Sequence, residues 1–330
     1  MQPPSQSFSS RFNGAWFILF VLATCGLSAA PLRIVTLNSV LAEFASSIGG
    51  PDATVECLIP GGSDPHGFSP SPADLKRLFQ ADLVIASGFG MEPWLDKLVS
   101  AKGLQGALLD VSTAVQNPVC SVEEEQAAQS RTHASDLPSP VESQAVGVHH
   151  EHGERDPHWW HSVSASRDVC RAILQRCAES DASHRAAFQS RWEQLDARLA
   201  ALEGWVQSEV SKLPVSRRHL VTSHDAFGYF ARDFQFQVHP LTGVNPEAEP
   251  DARALVGLIQ FIRREQIRSV FADNTENPRL LAAMLKESGA TLGGTLYADG
   301  PGAPASPAST YEAMIRHNTR TIIEALLPLR

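Results

Sequence analysis

The chain has 330 residues, of which 43% are hydrophobic and 19% charged, values that exclude a disordered or collagen-like polypeptide. That length supplies about two domains, each with room for its own core. The formal net charge of −9 argues against nucleic acid as a partner, because neutralising phosphates needs a basic face.

Residues 1–30 read as a secretion signal. Arg11 is their only charge, an apolar run from Ala15 to Leu22 follows, and Ser28, Ala29 and Ala30 form a small-residue cleavage zone. The run is short for a membrane span. Leu22-Ala23-Thr24-Cys25 offers a second processing route, with Cys25 lipidated, although Thr24 is atypical before such a cysteine. Both routes put the mature chain outside the cytoplasm.

The chain then alternates between short apolar strands and amphipathic helices. Strands are predicted at 32–37, 54–59, 83–87 and 108–111. Helices are predicted at 40–48, stopped by Gly49-Gly50, and from Ser71 or Pro72 to Phe79. This rhythm implies a parallel sheet with right-handed crossovers. Residues 117–155 break it with prolines, glutamates and a Ser/Gln-rich composition, and read as a surface loop. Six of the twelve histidines fall between His133 and His161. His149, His150 and His152 suit low-affinity metal capture, since imidazoles and a nearby carboxylate chelate without a preformed cavity. From 183 to 213 the apolar residues Phe188, Trp192, Leu195, Leu199, Leu202, Val206 and Val210 recur at helical spacing. A helix of that length spans about 45 Å and can tie two lobes together.

A second alternating half occupies 214–330. Strands are predicted at 219–222, 236–238, 269–272 and 294–298, and helices at 226–234, 253–265, 279–288 and 311–327. The expected organisation is therefore a signal at 1–30, a first lobe at 31–182, a linking helix at 183–213 and a second lobe at 214–330. Cys57, Cys120, Cys170 and Cys177 follow the signal. Cys170 and Cys177 lie seven residues apart in a helical stretch, roughly 10 Å along its axis, so they should not pair with each other.

Asp-Pro-His occurs twice, at 64–66 and 156–158. Proline fixes its own φ and extends the residue before it, so each histidine is presented from a stiff turn. His66 follows the strand predicted at 54–59, His224 follows that at 219–222, and Asp299 lies just past that at 294–298. Ligands of open parallel sheets bind beyond the carboxyl ends of the strands. His66, His158, His224 and Asp299 then make three imidazoles and a carboxylate, a closed tetrahedral set suited to Zn2+. His161 stands as an alternative or auxiliary to His158, which the Asp-Pro context favours. Asp273 ranks below Asp299 as the fourth ligand.

These segments resemble the zinc- and manganese-binding proteins of ABC uptake systems, the ZnuA/TroA-like family, over about residues 32–328. Asp64-Pro65-His66 with Phe68, Pro70, Ser71 and Asp74 is similar to the family's first-ligand motif, and Asp156-Pro157-His158-Trp159-Trp160 to its second. Ser223-His224-Asp225-Ala226-Phe227-Gly228-Tyr229-Phe230 is the most specific match. The fourth-ligand region matches at Tyr297-Ala298-Asp299-Gly300 with Thr310, Tyr311, Met314 and Asn318. Two positions depart from the pattern: Gly67 replaces a common acidic residue, and His161-Ser162-Val163 replaces an acidic residue and proline.

The resemblance implies two α/β lobes joined by one long rigid helix, and a monomeric, non-enzymatic periplasmic carrier. Its partners would be an ABC permease and its ATPase, and its membrane contact the permease or a lipid on Cys25. An imidazole at His224 favours zinc, where a carboxylate would favour Mn2+. Manganese, or mixed zinc and manganese, is the alternative cargo. A secreted zinc hydrolase is the rival from another class, and the chain lacks both His-Glu-x-x-His and Gly-x-Ser-x-Gly. Deleting 121–153 should impair capture at scarce zinc in uptake assays while leaving the main site's affinity unchanged.

Overall fold

The computed structural model describes residues 30–100, 104, 107–121, 155–244, 252–274 and 278–327. Residues 1–29 of the expected signal, Cys25 among them, and His149, His150 and His152 lie outside the described residues.

Among the described residues, eight strands form two four-stranded parallel sheets of the same order. The first holds β1 (Leu32–Thr36), β2 (Ala53–Cys57), β3 (Leu83–Ala86) and β4 (Leu108–Asp110), arranged β2-β1-β3-β4. The second holds β5 (His219–His224), β6 (Gln237–Thr242), β7 (Ser269–Asp273) and β8 (Thr291–Leu296), arranged β6-β5-β7-β8. All the strand pairs are parallel. Every residue of β3, Leu-Val-Ile-Ala, is buried, as expected of a strand covered by helices on both faces.

Local chemistry sets where the helices begin. Asn38 caps α1 (Ser39–Gly49) by accepting from the Leu41 amide at 2.9 Å. Ser71 and Asp74 form a reciprocal capping box at α2 (Pro72–Gln80), with Pro72 in the first turn. α3 (Leu95–Ser100) was not anticipated, because six residues carry too little periodicity to read. Ser162 caps α4 (Val163–Ser180).

The linking helix, α5 (Arg185–Val210), has 26 residues and so runs about 39 Å. It starts two residues later than expected, because the Asp181 side chain accepts from the Ser183 amide and holds 182–184 in a tighter turn. Phe188, Leu195, Leu199, Leu202, Val206 and Val210 form its buried stripe. Each fully buried Leu or Phe of that kind contributes roughly 1.5–3 kcal/mol. Arg191 fastens the helix to the first half by donating to the carbonyls of Ile48 and Gly49 at the end of α1 and pairing with Asp52.

The second half adds α6 (Gly228–Phe234), α7 (Ala252–Arg264), α8 (Pro278–Ser288) and α9 (Tyr311–Leu326). α9 reaches back to the first half. The Tyr311 amide donates to Glu43, and its hydroxyl lies 2.8 Å from the Trp160 carbonyl and 2.9 Å from Ser166 Oγ. One apolar core consequently runs through both halves, from Ile34 and Phe44 past Phe188 and Leu199 to Phe271, Leu296 and Ile322. The outer face of each sheet has a smaller core, around Leu78 and Val84 in one and Val270 and Met284 in the other.

Several strand boundaries differ from expectation, and β6 runs on to Thr242 instead of ending at 238. β2 ends at Cys57, two residues early. β5 continues to His224, so that histidine closes the strand instead of following it. β8 begins at Thr291 and ends at Leu296, because Gly293 and Gly294 lie inside the strand. A side chain at Gly293 would meet the Phe271 ring, so the glycine that reads as a boundary is a packing requirement. The four cysteines described are unpaired thiols. Among the described residues, no helix is long and apolar enough to cross a membrane.

Gly204 is exposed inside α5, with open space where a side chain would project. Gly204→Ala should therefore stabilise the chain by about 0.5–1 kcal/mol, read as a higher midpoint in urea unfolding.

Candidate metal centre

Both Asp-Pro-His segments fold into the same turn. The Asp64 carboxylate accepts from the His66 amide at 2.8 Å, and the Asp156 carboxylate accepts from the His158 amide at 2.8 Å. An aspartate bonded to the backbone two residues on is a stable local turn, and the intervening proline stiffens it. The copies differ at the ring. Asp156 Oδ1 also lies 2.8 Å from His158 Nδ1, so the same carboxylate orients the imidazole and leaves Nε2 facing inward.

His224 ends β5, and Asp273 ends its sheet neighbour β7. The strand order reverses between these two, which is where open α/β sheets bind their ligands. His224 Nδ1 lies 2.6 Å from Asp273 Oδ2, again turning Nε2 toward the centre. Asp273, considered as a ligand from sequence, instead braces the His224 ring. Its amide accepts its own brace by donating to Ser223 Oγ at 3.2 Å.

Asp299 follows β8 on a short segment gripped from two sides. Asn318 bonds both the amide and the carbonyl of Tyr297, at 2.9 and 2.8 Å. The Ala298 carbonyl accepts from Trp160 Nε1 at 2.7 Å and from His161 Nε2 at 2.8 Å. His161 is thereby committed. It is buried, stacks on Phe227 with ring centroids 4.4 Å apart, and does not join His158 in the cluster. Burial depresses its pKa to about 3, with the neighbouring His158 adding to the effect, so it works as a neutral hydrogen-bond donor. Trp159 and Trp160 are fully buried in the core, as packing residues should be.

The structure brings His66, His158, His224 and Asp299 together, with one potential ligand atom of each within 4.8 Å of the others. The Nε2 atoms of His66, His158 and His224 lie 3.3, 3.4 and 3.5 Å from Asp299 Oδ1. The Nε2 atoms of His66 and His158 are 3.3 Å apart. A tetrahedron with bonds of about 2.0–2.1 Å has edges of about 3.3–3.4 Å, so these four separations lie within about 0.1 Å of those between nitrogen and oxygen ligands around one zinc-sized ion. Three of the four side chains are buried, and His66 forms the outward edge.

The electrostatics are those of a cluster that exchanges protons for a cation. Burial disfavours a charged His224, but the Asp273 and Asp299 carboxylates outweigh it and raise its pKa well above 6.5. Burial likewise opposes charge on His158, and Asp156 and Asp299 more than compensate, raising its pKa. Asp299 is buried too, yet the three imidazoles hold its carboxyl well below the usual range.

Residues 34–325 match the family model described as ZnuA, zinc-uptake complex component A, periplasmic. The chain belongs to this ZnuA family. Among its relatives, the manganese-binding lipoprotein MntA of Bacillus subtilis is 29% identical over 322 residues, covering 94% of this chain and 96% of MntA. The zinc-binding protein TroA of Treponema pallidum is 28% identical over 298 residues, covering 89% of this chain and 88% of TroA. A solved structure of TroA from that organism aligns with a TM-score of 0.75 at 26% identity, over 91% of this chain and 100% of its own. The iron-binding protein YfeA of Yersinia pestis is 26% identical over 295 residues. The chain thus shares its two-lobe fold with TroA, and its sequence with relatives named for three different metals.

A histidine ligates only when its nitrogen is deprotonated. Because the pKa values of His158 and His224 are raised, the free site holds protons at pH values where ordinary histidines have lost them, and an incoming cation must displace them. Metal affinity should therefore fall as pH is lowered through these raised values, a fall that begins above pH 6.5. Calorimetry in buffers of different ionisation enthalpy should register proton release on binding. Asp273→Asn, which removes a carboxylate holding the His224 proton, should reduce the number released.

Proposed function

We propose that this chain captures Zn2+ outside the cytoplasm through His66, His158, His224 and Asp299, and delivers it to the permease of an ABC importer driven by a cytoplasmic ATPase. One observation carries the reading: three imidazole Nε2 atoms surround a single carboxylate oxygen at 3.3–3.5 Å, the edge length of a tetrahedral zinc shell. Membership of a family described as periplasmic zinc-uptake components supports the role.

Zinc is favoured over manganese by the donor set. Three nitrogens and one oxygen suit a borderline cation, whereas manganese prefers oxygen-rich, higher-coordinate shells. The manganese-binding relative MntA keeps mixed zinc and manganese cargo as the second reading. Four protein ligands also complete a tetrahedron, leaving no open position for a catalytic water, which supports a carrier over a hydrolase. Residues 1–30 serve as the export signal, with Cys25 as the attachment point if the chain is lipidated. The carrier acts as a monomer, and His149, His150 and His152 feed the main site from the segment before His158.

The test begins with His66→Ala. His66 sits on an irregular segment with its side chain 9% exposed, so its loss should leave the fold and the unfolding midpoint unchanged. Zinc affinity should fall by on the order of 100-fold or more, since disturbing even the partners of metal ligands typically costs 10- to 100-fold. Competition titration giving wild-type affinity would remove His66 from the ligand set. Elemental analysis of protein purified without added metal should find zinc in about one equivalent; manganese in its place would favour the second reading.

A further inference from the structure

The two loops that bring His66 and Asp299 together touch each other directly, backbone against backbone. The turn at Pro60–Ser63, closed by the Ser63 amide donating to the Pro60 carbonyl at 3.2 Å, lies against the segment Pro301–Ala303. The Gly62 amide donates to the Pro301 carbonyl at 2.9 Å. A β-carbon placed on Gly61 would lie 2.7 Å from the Pro301 oxygen and 2.8 Å from the Gly302 oxygen. Both are backbone atoms, so no side-chain rotation relieves the clash. Pro301 and Gly302 are buried, and the Gly302 amide is itself bonded to the Ala308 carbonyl at 2.8 Å, which stiffens that side.

We infer that this contact is a clasp between the halves that positions His66 against Asp299, and that Gly61 is the residue that permits it. The placement is close in sequence on both sides. Gly62 precedes His66 by four residues, and Asp299 precedes Pro301 by two. Of the four ligand residues, His66 is the one at the outer edge, and among the described residues no carboxylate braces its ring as Asp156 braces His158 and Asp273 braces His224. The clasp supplies to the His66 loop the restraint that those carboxylates supply to the other two rings. A displacement there of a few tenths of an ångström lengthens the 3.3 Å edge between His66 Nε2 and Asp299 Oδ1 directly. Loading and release of the ion at that edge are therefore governed by a glycine that never touches it.

The inference rests on the reading of His66 and Asp299 as ligands, and the variants separate the two. Gly61 has no left-handed φ, so alanine fits its backbone and Gly61→Ala probes the contact alone. Gly61→Ala should lower zinc affinity roughly 10- to 100-fold, the range for supports of metal ligands, mainly through faster release in stopped-flow chelator exchange. In a His66→Ala background the same substitution should change affinity by less than about twofold, because the edge it disturbs is already gone. Gly204→Ala serves as the neutral control. If His66→Ala binds zinc like the wild type, the ligand assignment fails. If His66→Ala weakens binding but Gly61→Ala does not, or costs as much with His66 absent, only the clasp fails. Linkage gives a second measurement that needs no folded Gly61 variant: if the clasp favours the ion, the ion favours the clasp. Hydrogen exchange of the Gly62 amide in the wild type should slow on zinc addition, and should not slow in His66→Ala. Equal exchange with and without zinc in the wild type would overturn the inference.

Discussion

A carboxylate buried among imidazoles is the constraint on which this molecule is organised. Asp299 sits in a site from which water is largely excluded, where an isolated charge is unfavourable by several kcal/mol. It persists there because three histidines from three separate segments surround it and hold it ionised. Those histidines are buried as well, and two of them depend on further carboxylates, Asp156 and Asp273. Each polar group is tolerable only in the presence of the next. The arrangement is a shell of donors around a central position, with the net attraction for a cation built into the way the groups satisfy one another.

Such a shell has to be assembled from both halves of the chain, and the rest of the fold accomplishes this. Two sheets of identical strand order present their carboxyl edges to the centre, delivering His66 from the loop after β2 and His224 from the end of β5. Helix α5 is packed on helices of both halves, and α9 returns from the second half to bond Trp160 and Ser166 in the first. A core continuous across the halves is incompatible with a wide hinge opening, because separating them would expose apolar surface along the whole strut. On the proposed reading, the ion then exchanges through local movement at the rim. That matches the unequal support of the clustered rings, with His158 and His224 fixed on the inside and His66 at the edge.

Much of this was legible in the residues. The parallel sheets follow from short apolar strands alternating with capped helices, and the linking helix from a stripe of apolar residues between Phe188 and Val210. The four clustered residues were legible too, because strand ends announce where loops converge and Asp-Pro-His announces a stiff turn. Less visible was what each neighbour does. His161 and His158 look interchangeable three residues apart, yet one ring faces the centre and the other donates to the Ala298 carbonyl. Asp64 and Asp156 occupy the same motif, yet only Asp156 reaches its histidine's ring. Gly293 reads as a strand boundary and turns out to lie within β8 because Phe271 occupies the space a side chain would need.

The sequence by itself determined the fold class, the segments that carry the histidines and the chemistry of the donor set, since periodicity, capping and residue type act over a few neighbouring residues. Only the tertiary structure decided which nitrogen faces the centre, which carboxylate braces which ring, and that Gly61 lets the His66 loop close on Pro301. Those outcomes depend on contacts between residues tens to hundreds of positions apart, and no local pattern encodes a separation measured in tenths of an ångström.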